Sequence, residues 1–272
     1  MPLGRNSNFM AKTTQAVITI LMGQCLLLSP GSAVGQSTSA LASAKVTVSL
    51  EKNVITQHEP AILNITIDSS STAVDFDPGY YNERIDIKVV DPEGHVWARP
   101  RPVPQEGMKF SGAIHVDPGS TDIVPVLLND WFSFEKIGDY KIDVTLLLAK
   151  HSATGGVGGV HQRLVLAVLP KDEAALLSEC SGLLTRVKSS QSYAASLVAA
   201  EALSKVDDPI AVPFLAEAIK RREFASLMIA ALARLNTGDA VNVLIAASKS
   251  SDPETSALAQ SALLNLRKTQ KQ

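Results

Sequence analysis

Residues 161–184 read HQRLVLAVLPKDEAALLSECSGLL, and the hydrophobic rhythm changes inside them. Up to Leu169 the text keeps the period of two expected of a strand. Beyond Pro170 the apolar residues Leu176, Leu177, Cys180, Leu183 and Leu184 recur at helical spacing. Pro170 ends the strand, and Asp172 and Glu173 place negative charge where a helix dipole begins. A boundary between a β region, 45–170, and a helical region, 171–272, is therefore expected here. The connection is too short to be a loose tether.

Upstream of the boundary the alternating pattern recurs. Val46, Val48 and Leu50 share one face, with Lys45, Thr47 and Ser49 on the other. Further strands are predicted at 61–68, 84–91, 112–116, 122–128, 139–149 and 161–169. Turn-forming sequences separate them, among them Asp91-Pro92-Glu93-Gly94 and Asp117-Pro118-Gly119. This count of short strands predicts an antiparallel β-sandwich of immunoglobulin-like type. Tyr140, just after Gly138-Asp139, fits either a tyrosine corner, whose hydroxyl ties a loop, or an ordinary core aromatic.

Downstream, the sequence repeats itself. Ala202-Leu203-Ser204-Lys205-Val206 matches Ala231-Leu232-Ala233-Arg234-Leu235 and Ala262-Leu263-Leu264-Asn265-Leu266, and Ala211-Val212-Pro213-Phe214-Leu215 matches Ala240-Val241-Asn242-Val243-Leu244. The spacing is about 30 residues, and such a unit buries its apolar face only by stacking on neighbours. Three helical hairpins are predicted: 172–187 with 191–206, 210–220 with 223–235, and 239–248 with 253–267. Pro213 should lie in a first turn, where its missing N–H is harmless.

Region 196–267, with DDPIAVPFLAEAI and the recurrent Ala-Leu motif, resembles short HEAT-like repeats of the kind found in phycobilisome-lyase-related proteins. Region 45–150, through EPAILNITI, DFDPGYYNERIDIKVVDPEG, VDPGSTDIVPVLLNDWFSF and IGDYKIDVTL, looks like the β-sandwich that precedes HEAT repeats in some secreted bacterial proteins. The resemblance implies a short HEAT-like α-solenoid used as a scaffold. It carries no lyase activity across, because fold does not fix function.

The first 44 residues differ from all this. Arg5 and Lys12 are their only charged residues, and an apolar run, AVITILMGQCLLL, occupies 16–28. With small residues at Ala33 and Gly35, they read as a signal peptide, 1–35, followed by a disordered linker, 36–44. Cleavage is expected after Gly35, with Ala42 as the alternative. Gly23 and Gln24 interrupt the run, which falls short of the roughly 20 residues that span a bilayer, so an uncleaved anchor is the lesser reading. Gln24 before Cys25 argues against a lipoprotein site. Export leaves Cys180 alone, which reads as a buried small hydrophobe.

Residues 43–170 carry 11 basic and 16 acidic side chains, net −5, and 171–272 carry 12 and 11, net +1. Neither has the dense basic face that nucleic acid demands. His58, His95, His115, His151 and His161 show no metal-ligand spacing. Asp75, Asp77 and Glu83 could hold calcium, but an Asx-rich turn is the simpler reading. The run Gly155 to Gly159 lacks the Lys-Ser/Thr of a phosphate loop. Residues 99–104, RPRPVP, read as a stiff connector. Asn64-Ile65-Thr66 is a sequon inside a strand. Trp131, Phe132 and Phe134 cannot all face inward from one strand, so one ring is expected at the surface, open to a partner. Lys220, Arg221 and Arg222 are the densest charge and the candidate contact for an acidic patch.

No catalytic constellation, metal site or cofactor motif emerges. The chain reads as an extracytoplasmic, secreted or periplasmic, protein-binding or scaffold protein without a membrane span. The alternative is a cell-envelope enzyme with its site in the crease between the two regions. Intact-mass measurement of exported protein should give a chain beginning at Gln36; one beginning at Ser43 would select the second cut.

Overall fold

The computed structural model describes residues 44–71, 73–76, 85–98, 114–147, 159–189 and 193–269. The leader and both cleavage points, the side chains of Asp75, Asp77 and Glu83, the 99–104 connector, His151 and most of the glycine run lie outside what it describes. In chain order the strands are β1 (Ala44–Leu50), β2 (Val54–Thr56), β3 (Ile62–Ser69), β4 (Val74–Phe76), β5 (Ile85–Val90), β6 (Val96–Ala98), β7 (Ile114–Val116), β8 (Thr121–Leu127), β9 (Gly138–Leu147) and β10 (Gly159–Leu169). The helices are α1 (Glu173–Ser189), α2 (Tyr193–Lys205), α3 (Val212–Ala218), α4 (Ala225–Leu235), α5 (Gly238–Ala247) and α6 (Pro253–Thr269).

Two principal sheets form, ordered β1-β3-β8 and β2-β10-β9-β5-β6, with a separate β4-β7 ribbon. Period-two alternation turns Val48, Leu63, Ile65, Ile67 and Val126 of the first sheet, and Ile87, Val89, Ile142, Val144 and Leu166 of the second, into one shared core. One pairing corrects the expected antiparallel arrangement: β2 runs parallel to β10, with Ile55 opposite Val168. The parallel pairing is possible because these strands lie far apart in sequence, which removes the constraint of a tight hairpin.

Helices begin where side chains satisfy the first free N–H groups. Asp172 accepts from the backbone of Ala174 and Ala175, Asp208 from Ile210, Thr237 from Ala240 and Asp252 from Thr255, at 2.9–3.2 Å. Pro213 sits in the first turn of α3, as expected. The span 210–220 is shorter as α-helix than the pattern suggests, since Pro209–Ala211 forms a 3-10 turn before α3. Asn236 closes α4 in a left-handed conformation, φ 47°, its N–H bonded to Leu232 at 3.1 Å. The odd helices α1, α3 and α5 pack as neighbours, the even helices α2, α4 and α6 do likewise, and each odd helix packs on the even helix that follows it.

The helices also pack on the sheet. Leu176, Cys180, Leu183 and Val187 of α1 are fully buried, and their core includes Ile62 and Leu127. These two sit opposite each other across β3 and β8. By alternation they point away from Leu63 and Val126, out of the back of the three-stranded sheet. Ile62→Ala or Leu127→Ala should therefore cost about 2–5 kcal/mol. Urea unfolding followed both by helical circular dichroism and by tryptophan fluorescence should show one shared transition, shifted equally on both signals.

Candidate functional site in the crease between sheets and helices

Charged and amide side chains rim the Ile62–Leu127 contact. Lys52 bonds Glu179 of α1 and lies 3.6 Å from Glu59. Arg186 reaches Glu51 at 3.1 Å and Glu179 at 3.9 Å. Lys171 pairs with Asp208 at 2.8 Å, and Lys205 of α2 with Asp130 at 2.7 Å. Gln57 accepts from the Lys171 backbone at 3.3 Å and donates to the Glu135 carbonyl at 2.5 Å.

Part of this rim, Glu59 and Lys205, also lines an open cavity of about 290 Å³. Its walls are the turn bearing His58 and Glu59, the segment that includes Asn129 and runs from Phe132 to Glu135, and Lys205, Asp207 and Arg234 from the helical side. His58 takes a left-handed backbone conformation, φ 73°, which a side chain with a Cβ adopts at a cost. Its ring lies within electrostatic reach of Asp208. Asn129 is fixed by accepting the Ala61 N–H at 2.6 Å. Phe132 and Phe134 pack into the sheet core, and Phe134 meets Tyr140 edge-on at 5.1 Å between ring centres. Arg234 donates to the carbonyls of Ser204 and Val206, at 2.7 and 3.4 Å, closing the C-terminus of α2.

Burial raises the Glu59 carboxyl above its ordinary range, the nearby charge of Glu179 adds to this, and Lys52 opposes it. Glu201 is raised too, by burial and by the charge of Asp130. Burial, the largest single influence, pushes Asp208 up, but the bond and charge of Lys171 together with the Ile210 N–H outweigh it and the net direction is down. Cys180, on the buried face of α1, is pushed by burial up to about 12, so it is an inert thiol rather than a nucleophile.

The expected contact residues fall elsewhere. Trp131 is half-buried against the sheet core while Phe132 and Phe134 face inward, so the segment offers no fully exposed ring. Arg221 donates to the last carbonyls of α1, Val187 and Lys188, at 2.9 and 3.3 Å, pairs with Glu223 and lies over the Phe224 ring. It ties helices together. Lys220 and Arg222 remain largely exposed, paired with Glu217 at 2.5 Å and Asp252 at 3.5 Å. Glu217, held by both Lys220 and Lys188, drops to about 2.

Outside the cavity lining, Asp91 anchors the turn between β5 and β6. Its carboxylate accepts the backbone N–H groups of Glu93 and His95, both at 2.9 Å, and the Lys136 ammonium at 2.8 Å. The Tyr140 hydroxyl accepts the Lys136 N–H at 3.0 Å, the loop tie of a tyrosine corner. Asp91, Glu93 and His95 converge closely enough to consider a metal ion. Lys136 already supplies the cation, 2.6 Å from Glu93. No helix among the described residues is long and apolar enough to cross a membrane.

No protein-family model matches the chain, and no curated protein matches it. Among solved structures it is similar to the sporulation control protein Spo0M of Bacillus subtilis, at 15% identity and a TM-score of 0.27 over 52% of this chain and 54% of that one. A β-glucosidase from Listeria innocua is similar at 12% identity and a TM-score of 0.22, over 47% of this chain and 16% of that one. Astrotactin-2, a perforin-like membrane protein, is similar at 13% and 0.24, over 79% and 38%. The chain thus spans about half of the first protein and a small part of the second. At these TM-scores the likeness carries no inference.

The Asp91–Lys136 pair should shape stability against pH. The Lys136 bond holds Asp91 below its ordinary range, so the stability it gives is present above about pH 4 and is lost as pH falls further. Lys136 is raised by Asp91 and then by Glu93, so its contribution is present below about pH 10 and fades as pH climbs through its folded value. Thermal unfolding of Lys136→Met across pH should show the wild-type advantage on the plateau between those limits and its loss at both ends.

Proposed function

We propose that this chain is an extracytoplasmic protein-binding or scaffold protein, in which a short HEAT-like solenoid and the loops of an immunoglobulin-like β-sandwich together present surface to a protein partner. The observation that carries this reading is the state of the charges in the crease. Lys205, Arg234, Lys171 and Asp208 are each engaged with a partner charge or a helix-end carbonyl, so they fix a shape rather than stand ready for proton transfer. Two rows of helices with a repeat near 30 residues support the solenoid, whose exposed faces suit recognition. The apolar leader with Arg5 and Lys12 supports export. In this reading Lys220 and Arg222, the largely exposed part of the basic cluster, meet an acidic patch on the partner, and half-buried Trp131 adds apolar surface.

A second reading, a cell-envelope enzyme acting in the crease, draws on the same cavity, since His58 and Glu59 line it together. Turnover of a cell-envelope fraction that His58→Asn abolishes would replace the binding reading. In the binding reading, the immobilised full chain retains a protein from the envelope fraction of its source, and Lys220→Glu with Arg222→Glu lowers its recovery at least fivefold. Unchanged recovery would remove these two residues from the contact.

A further inference from the structure

The crease is electrically lopsided, and the inference drawn from this rests on the partner-binding reading. Three carboxylates, Glu59, Glu135 and Asp207, line the cavity against two cations, Lys205 and Arg234. Both cations are already committed. Lys205 lies 2.7 Å from Asp130, and Arg234 turns one nitrogen to the Ser204 and Val206 carbonyls and another to Asp207 at 3.5 Å. The carboxylates are less well matched: among the described residues Asp207 has only the Arg234 Nε, at 3.5 Å, and that guanidinium is shared with two carbonyls. Glu135 accepts the Ser133 hydroxyl at 2.6 Å and makes no ion pair among the described residues. Glu59, only 5% exposed, has Lys52 no nearer than 3.6 Å, and that ammonium bonds Glu179. Phe132 and Phe134 contribute apolar wall to the same space.

An apolar wall beside carboxylates short of cations complements an alkyl stem tipped with positive charge. A volume near 290 Å³ lies at the small end of ligand cavities and suits one long side chain rather than a folded element. We propose that the crease receives a basic side chain, arginine or lysine, projecting from the protein partner. The aliphatic stem lies along the aromatic wall and the charged head meets Glu135 and Asp207. Acidic or uncharged projections would meet uncompensated negative charge, so the cavity discriminates by sign as well as by shape.

The test is titration of the full chain with N-acetyl-argininamide, N-acetyl-lysinamide and the uncharged isostere N-acetyl-citrullinamide, read by backbone amide shifts at Asn129, Ser133, Glu135 and Asp207. Argininamide or lysinamide should saturate these signals at concentrations at least fivefold below citrullinamide, and added salt should weaken the response. The exposed Glu135→Gln and Asp207→Asn changes, combined, should weaken it at least tenfold while leaving the thermal midpoint near wild type. Equal binding of citrullinamide, no response to any basic probe, or a response that the double variant leaves intact would overturn the proposal. A partner captured equally well by the double variant would overturn it while sparing the binding reading. Failure of the wild type to capture any partner would sink that reading, and the titration would still report on the cavity.

Discussion

Ile62 and Leu127 face each other across β3 and β8 with their side chains turned away from the sheet interior, and the helices bury them. A strand buried on one face alternates strictly, so an apolar residue on the second face needs something to cover it. Here the helical core supplies the cover, with α2 packed on β8, and the three-stranded sheet becomes the middle of three layers at that end. Charged groups take over around this contact because its edge is wet, where long basic side chains keep their heads in solvent. The crease is what remains where the apolar contact stops.

The helical repeat extends this logic. Lys205 and Arg234 occupy the same place in two successive units, 29 residues apart. Arg234 reaches back to the carbonyls that end α2, and Lys205 reaches back to Asp130 in the β region. One position thus grips whatever lies before it. The 129–135 segment occupies, for the first unit, the place that a preceding helical unit would fill. A stack of such units must bury its first apolar face somewhere, and here a sheet does so.

Much of the fold was legible because it follows from local periodicity. The strands β1, β3, β5, β7, β8, β9 and β10, the six helices and Pro213 in a first turn were all readable from alternation, helical spacing and turn chemistry. What was not legible depends on distant partners. Val54–Thr56 is too short to show a period, and its parallel pairing to β10 joins segments over a hundred residues apart. The crease assembles His58, Asn129, Lys205 and Arg234 from four separate places in the chain, so no spacing rule could find it. Two signals did exist. Ala61-Ile62-Leu63 and Val126-Leu127-Leu128 break the alternation with consecutive apolar residues, marking strands covered on both faces. Arg221 had looked like free surface charge, because a helix-end carbonyl 34 residues upstream leaves no trace in composition.

Glu59 is where binding and catalysis make opposite demands. A general acid or base needs a carboxyl that gains and loses its proton within reach of a substrate. Burial does raise Glu59 toward such a role, but the same burial leaves it only 5% exposed, with Lys52 drawing it back toward the ionised form. A negative charge set into the cavity lining asks for none of that exchange. Its field acts at a distance, strengthened by the low dielectric around it, and selects the sign of what enters without touching it. The arrangement that hinders proton transfer is therefore the one that makes an acidic crease selective for a cation.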